Sequence, residues 1–227
     1  MNNLMNESME KYDTNDCALA ERILHRHSEL VSQRAVWDTH WQDIANYVMP
    51  RKSESLSKTS APSTSEAVRI HDATAIRANM VLGNGQLTWM TPLDATWFSY
   101  DPPANLKGVD SVEQYYRECS SRAALEMARS SFYSDIHELY LDRGGFGTAV
   151  IFADAGITTP LNFMKFDVGT FCIAENAEGY VDTLSREFEL DVRQAAQMFG
   201  EENLPDKLKA DLDNDKKRYI KHTFIHH

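Results

Sequence analysis

Between residues 15 and 49 the apolar positions Leu19, Ile23, Leu30, Trp37, Trp41, Ile44 and Val48 fall three, four or seven apart, and Pro50 stands just behind them. That period sets all seven along one side of a single long helix. Proline has no amide hydrogen and its ring clashes with the preceding turn, so Pro50 ends the helix. His27 and Arg34 fall on the same stripe. The expected place for Arg34 is the edge of the core, paired with an acid.

What flanks this helix divides the chain. Residues 1–14 are polar and acidic and read as a disordered tail, residues 15–50 as the long helix, and residues 51–70, rich in Ser and Thr, as a flexible loop. Residues 71–227 read as one α+β domain. In it, Asp72 is a candidate N-cap for a helix running to about Gly83, with Gly83-Asn84-Gly85 as a break or kink. Trp97-Phe98-Ser99-Tyr100 reads as a short strand. Ser111 and Gln114 suggest a capping box for a helix to about Arg129, with Val112, Tyr115, Cys119 and Ala123 inward. A shorter helix over 134–143 is expected to stop at Gly144-Gly145.

From there the signal turns to strands. Thr148–Phe152 is a β-branched run, followed by strands over 161–166 and 170–174, a turn at 176–179 and a return strand over 180–188. Asp191 with Gln194 opens a helix that Gly200 closes, Pro205 begins a short one, and 217–226 is a last strand. Helices first and strands later make the class α+β, with long N-terminal helices leading into a mixed or antiparallel β region.

Composition narrows the function. A hydrophobic fraction of 42% permits a core, while a net charge of -11 argues against a chain that grips phosphates, which takes clustered Lys and Arg. Cys17, Cys119 and Cys172 are an odd number and widely spaced, so a disulfide framework is not expected and a reducing compartment is natural. No apolar run is long enough to cross a membrane.

No cofactor, metal or catalytic set is expected. Asp211-Leu212-Asp213-Asn214-Asp215 starts like a calcium loop, but Lys216 and His222 occupy the positions that need Gly and Glu. Gly145-Phe146-Gly147 precedes a strand, whereas nucleotide loops follow one, so it reads as a tight turn. His222, His226 and His227 crowd the C-terminus without further ligands at metal spacing. Trp37, Trp41 and Trp97 are core residues first and interface anchors second.

Four stretches in order resemble the head-to-tail connecting, or portal, proteins of short-tailed phages. They are Arg34-Ala35-Val36-Trp37 with Trp41, Tyr47 and Pro50; His71-Asp72-Ala73-Thr74 with Gly83-Asn84-Gly85, Leu87-Thr88, Thr91-Pro92 and Trp97-Phe98; Ser131-Phe132-Tyr133 with Gly145-Phe146-Gly147-Thr148; and Glu175 to Gly179 with Val181-Asp182, Arg186 and Phe188. Two details depart from the family pattern. Trp89-Met90 intervene before Thr91-Pro92, and no Asn separates Ser131 from Phe132.

The resemblance covers the N-terminal, wing-side part of a portal, so a truncated product or fragment is expected. It implies a structural protein rather than an enzyme: a subunit of a homo-oligomeric ring at the capsid vertex, through which double-stranded DNA passes without sequence-specific binding. Its implied partners are other portal subunits, capsid, packaging motor and tail adaptor proteins, with no membrane. Its implied place is the virion, after assembly in the host bacterial cytoplasm. Arg34, Trp37, Trp41, Pro50, Asp72, Trp97, Phe98, Gly147 and Arg186 are the structural or interface candidates it marks. Two other classes stay open on the residues alone: a small cytoplasmic binding module docking by its Trp-bearing helix, and an enzyme of unrecognised class.

Overall fold

The computed structural model describes residues 14–56, 72–156 and 159–227. Residues 1–13 of the expected tail and most of the Ser/Thr-rich loop lie outside the described residues, and Thr14 already belongs to the long helix. The class is α+β. Two compact units divide the chain, one of Met1–Trp37 with Thr170–His227, the other Asp38–Gly169. Helix α1, Thr14–Val48, supplies residues to each.

In the first unit the core is a three-stranded antiparallel sheet of β3 (Phe171–Glu175), β4 (Val181–Asp191) and β5 (Lys221–His226), in the order β3-β4-β5. The β3–β4 hairpin turns at Asn176, whose side-chain oxygen accepts the amides of Glu178 and Tyr180 at 2.9 and 3.0 Å. A local side-chain acceptor of this kind is why Asn favours turns. The register pairs Cys172 with Ser185 and Phe188 with Phe224. Behind β4 comes α6, Val192–Phe199. Its capping box is the expected one: Asp191 accepts the Gln194 amide at 2.7 Å and Gln194 accepts the Asp191 amide at 3.0 Å. Gly200 is the C-cap of α6, and a short α7, Asp206–Leu212, follows Pro205. The last strand begins at Lys221, because residues 217–219 still belong to a turn.

The second unit is built on a helix crossing. It contains a 3-10 turn at Pro50–Lys52, then α2 (Ser53–Leu56), α3 (Thr74–Met90), α4 (Asp110–Arg129), α5 (Phe132–Phe146) and an antiparallel pair, β1 (Val150–Ala155) with β2 (Leu161–Phe166). Helix α3 does not break at Gly83-Asn84-Gly85. It runs through them because α5 needs the gap: a Cβ on Gly83 would sit 2.6 Å from Leu141 Cδ2. The small residue marks close approach here, not a terminus. In the same crossing, buried Asn79 donates to the Leu141 carbonyl at 3.1 Å.

Phe132, Ile136 and Tyr140 of α5 are buried at the core, with Leu87, Trp97, Met127 and Phe163 packed on them. Ser131 joins α5 to β2: its hydroxyl donates to the Phe163 carbonyl at 2.7 Å and accepts the Phe163 amide at 3.1 Å.

Several sequence expectations are corrected. Residues 97–100 form no strand; Trp97 and Phe98 turn to the aromatic core instead. Helix α4 starts at Asp110 without the Ser111–Gln114 box, and Tyr115 is 63% exposed rather than inward. Helix α5 passes through Gly144 and Gly145 and stops at Gly147, whose φ of 79° is left-handed backbone that glycine adopts without strain. Residues 51–56 of the expected loop are helical.

Candidate functional site

The stripe on α1 is only partly a core stripe. Leu30 and Trp41 are buried, but Leu19 and Trp37 are more than half exposed. Within the first unit, what fixes the helix on the sheet is the polar pair that shares the stripe. His27, seven residues before Arg34, shares a 2.8 Å hydrogen bond between its Nδ1 and Ser185 Oγ. Arg34 donates to the Phe171 carbonyl at 2.9 Å and reaches Cys172 Sγ at 3.5 Å. Ser185 and Cys172 are cross-strand neighbours, so the two contacts grip adjacent strands. Each buried hydrogen bond of this sort is worth ~1 kcal/mol, and more where a charged donor is used.

With Glu187 the first contact takes on the outline of a catalytic triad: His27 Nε2 lies 3.8 Å from Glu187 Oε2. Ser185, however, is wholly enclosed, and His27 is 7% exposed. A nucleophilic serine must meet a substrate carbonyl and have oxyanion donors beside it. Sealed beneath a helix, Ser185 instead fastens that helix to the sheet. Sequence reasoning missed Ser185 because a lone Ser in a strand carries no pattern.

In the second unit, five charges gather where no motif announces them. Glu138 and Asp142 are four apart on α5 and so share a face. Asp142 is completely buried. Lys165 of β2 donates to Asp142 Oδ2 at 2.8 Å, and Lys52, set by the turn at Pro50, lies 2.7 Å from Asp142 Oδ1. Asp167 bridges both lysines, and Glu138 stands 3.4 and 3.7 Å from them. Burial works against the charge on Lys165, but its hydrogen bonds to Asp142 and Asp167 outweigh that and raise its pKa above the ordinary lysine value. Burial likewise opposes the Asp167 charge, yet the Lys165 ammonium holds the carboxyl below its usual range.

The cluster binds helix, strand and turn together. It offers a ligand little, since its central carboxylate is already met by two ammoniums. Among the described residues no group of three or more His, Cys, Asp or Glu side chains could hold a metal ion. Asp211 and Asp215 pair with Lys217 and Arg218.

The remaining marked residues scatter. Pro50 opens the 3-10 turn. Asp72 accepts the Thr74 amide at 2.9 Å and its hydroxyl at 2.7 Å, holding the start of α3 from one residue before the N-cap. Trp97 stacks on Phe132, and Phe98 meets Trp97 and Tyr100 edge-on. Gly147 closes α5, so Gly145-Phe146-Gly147 lies at the electronegative end of a helix, the wrong end for phosphate. Arg186 lies over the Phe188 ring at 4.1 Å, and burial lowers its pKa. The structure thus brings Arg34 to the Phe171 carbonyl in the first unit and Trp97 onto Phe132 in the second.

The outer surface is where the unspent apolar groups lie. On α3, Val81 and Trp89 are 72% and 86% exposed, eight residues apart on one side, with Gly85 open between them.

The family model described as bacteriophage head to tail connecting protein matches residues 20–227. The portal protein of Salmonella phage epsilon15 is 26% identical over 195 residues, covering 86% of this chain and 35% of that protein. The probable portal protein of Bordetella phage BPP-1 is 27% identical over 181 residues, 79% of this chain and 33% of that one. The chain thus spans about a third of the length of these curated relatives.

Proposed function

Since the chain belongs to the bacteriophage head to tail connecting protein family, we propose that it serves as a portal subunit, part of a homo-oligomeric ring at the capsid vertex through which double-stranded DNA enters and leaves. The observation that carries this reading is the family match, which runs through both compact units without a break. The surface suits it. A subunit needs apolar groups left over after its own core is made, and Trp89, Val81 and Tyr47 are such groups. The acidic balance suits a wall along which DNA slides, since like charges resist adhesion.

On this reading, capsid, packaging motor and tail adaptor proteins are its neighbours, and its place is the virion, following assembly in the host bacterial cytoplasm. Its role is structural rather than enzymatic. The marked residues divide. Trp37 is assigned to subunit contacts. Arg34, Trp41, Pro50, Asp72, Trp97, Phe98, Gly147 and Arg186 are assigned to holding the fold that presents them.

The test is the mass of the chain in solution, by light scattering after size exclusion, with electron microscopy of any large species. Ring-shaped particles of uniform mass are expected. A chain that stays monomeric at every concentration would remove the claim that it carries subunit contacts.

A further inference from the structure

Within the second unit a groove of ≈ 530 Å³ runs between residues 96–102 and helix α4. That volume is in the range of ligand sites, roughly 300–1,000 Å³. Its helical wall is one stripe of α4, with Tyr116, Arg117, Ser120 and Ser121 among the residues that line it. The opposite wall is irregular backbone, formed by Thr96 and by residues 99–102. It has no strand partner. Over residues 93–102 the one main-chain hydrogen bond among the described residues is from the Tyr100 amide to Ser120 Oγ, at 2.8 Å. The segment is nonetheless held in place, because Trp97 stacks on buried Phe132 at 6.0 Å and Phe98 packs on Trp97 at 4.9 Å. A fixed edge with unused donors and acceptors is what strand addition needs, since little ordering entropy remains to be lost on binding.

Charge narrows the occupant. Lys107 is met by Asp101 at 3.4 Å, and Glu113 accepts the Gly108 amide at 3.0 Å. The Arg117 side chain has no hydrogen bond or ion pair among the described residues, so of the four charged groups lining the groove it is the cation that a ligand's acidic group can meet. We propose that the groove binds an extended segment of a partner polypeptide. That segment pairs its main chain with residues 96–101 and sets an acidic side chain on Arg117, flanked by Tyr100 and Tyr116.

The experiment is selection of a display library of random dodecapeptides on the whole chain, followed by affinity measurement on the enriched peptides. Enriched peptides are expected to carry Asp or Glu within a β-branched or aromatic stretch. Arg117→Ala should weaken them about tenfold, ~1.4 kcal/mol. Ser121→Trp, which fills the groove, should abolish binding, as should methylation of alternate amide nitrogens in the peptide. Unchanged melting temperatures of both variants will show that the fold is intact. No enrichment, or enriched peptides indifferent to both substitutions, overturns the proposal. Displacement of the peptide by millimolar inorganic phosphate also overturns it, because Arg117 would then be a simple anion contact.

Discussion

Trp37 and Trp41 show how far a single position on a stripe can mislead. Both fit the same helical period, yet Trp41 is 8% exposed and Trp37 57%. Trp41→Ala should cost about 3–5 kcal/mol, from lost burial and the cavity left behind. Trp37→Ala should cost under about 1 kcal/mol in the isolated subunit. Denaturant unfolding of the two variants reads the difference directly, and equal losses would mean that the stripe packs along its whole length. Gly147 is the opposite case, a residue whose role is all backbone. Nothing lies within 4 Å of where its Cβ would be, so only the φ of 79° resists substitution. Gly147→Ala should lose about 1 kcal/mol and Gly147→Asn less, because Asn tolerates left-handed backbone. Calorimetry with ATP should show no heat for wild type or variant; tight binding would contradict a capping role.

Elements meet through charges that the sequence does not advertise. Asp142 holds Lys52 and Lys165 at once, so Asp142→Asn would leave two ammoniums short of a carboxylate in a nearly dry place. Breaking a buried pair in this way costs about 3–5 kcal/mol. The pH dependence follows from Asp167. Its folded pKa lies below the ordinary 3.8, so its contribution is complete above that value and is lost as pH falls through the lower folded pKa. Lys165 behaves in mirror image: its raised pKa gives stability that is complete below 10.5 and lost only as pH climbs through the folded value. Acid unfolding of Asp167→Asn should therefore be shallower below about pH 4 than that of wild type, and identical curves would leave Asp167 without a role. Legibility ends at such contacts. The α6 capping box, the hairpin at Asn176 and the end of α1 near Pro50 were readable because each depends on neighbours in sequence. Gly83 and Gly144-Gly145 read as breaks because glycine looks the same whether it ends a helix or admits another. Trp97-Phe98 looked like a strand because strand propensity is indifferent to whether a partner strand exists. The joining of His27 to Ser185, 158 residues away, left no local trace.

Over the whole molecule, charge and apolar surface pull in opposite directions. A net charge of -11 makes copies of the chain repel, while exposed Trp89 and Val81 favour burial against another surface. If apolar contact is what joins subunits, salt helps. The screening length shrinks from ~10 Å at 0.1 M to ~3 Å at 1 M, removing repulsion while leaving apolar burial intact. Sedimentation or light scattering over about 0.05 to 0.5 M sodium chloride should then show association strengthening with salt. The same measurement on Trp89→Glu, a substitution at an exposed site that leaves the core untouched, should show weaker association at every salt concentration and an unchanged melting temperature. Association that falls with salt would mean that ion pairs across the contact dominate, and would move the interface from the apolar side of α3 to its charged surroundings. Double-stranded DNA provides the control for the sign of the field. A surface of this charge should show no retention of DNA in filter binding near physiological ionic strength, since the net field repels phosphates and, in the basic run 216–218, Lys217 and Arg218 are met by Asp211 and Asp215. Retention that declines steeply with salt would reveal a basic track hidden within an acidic whole.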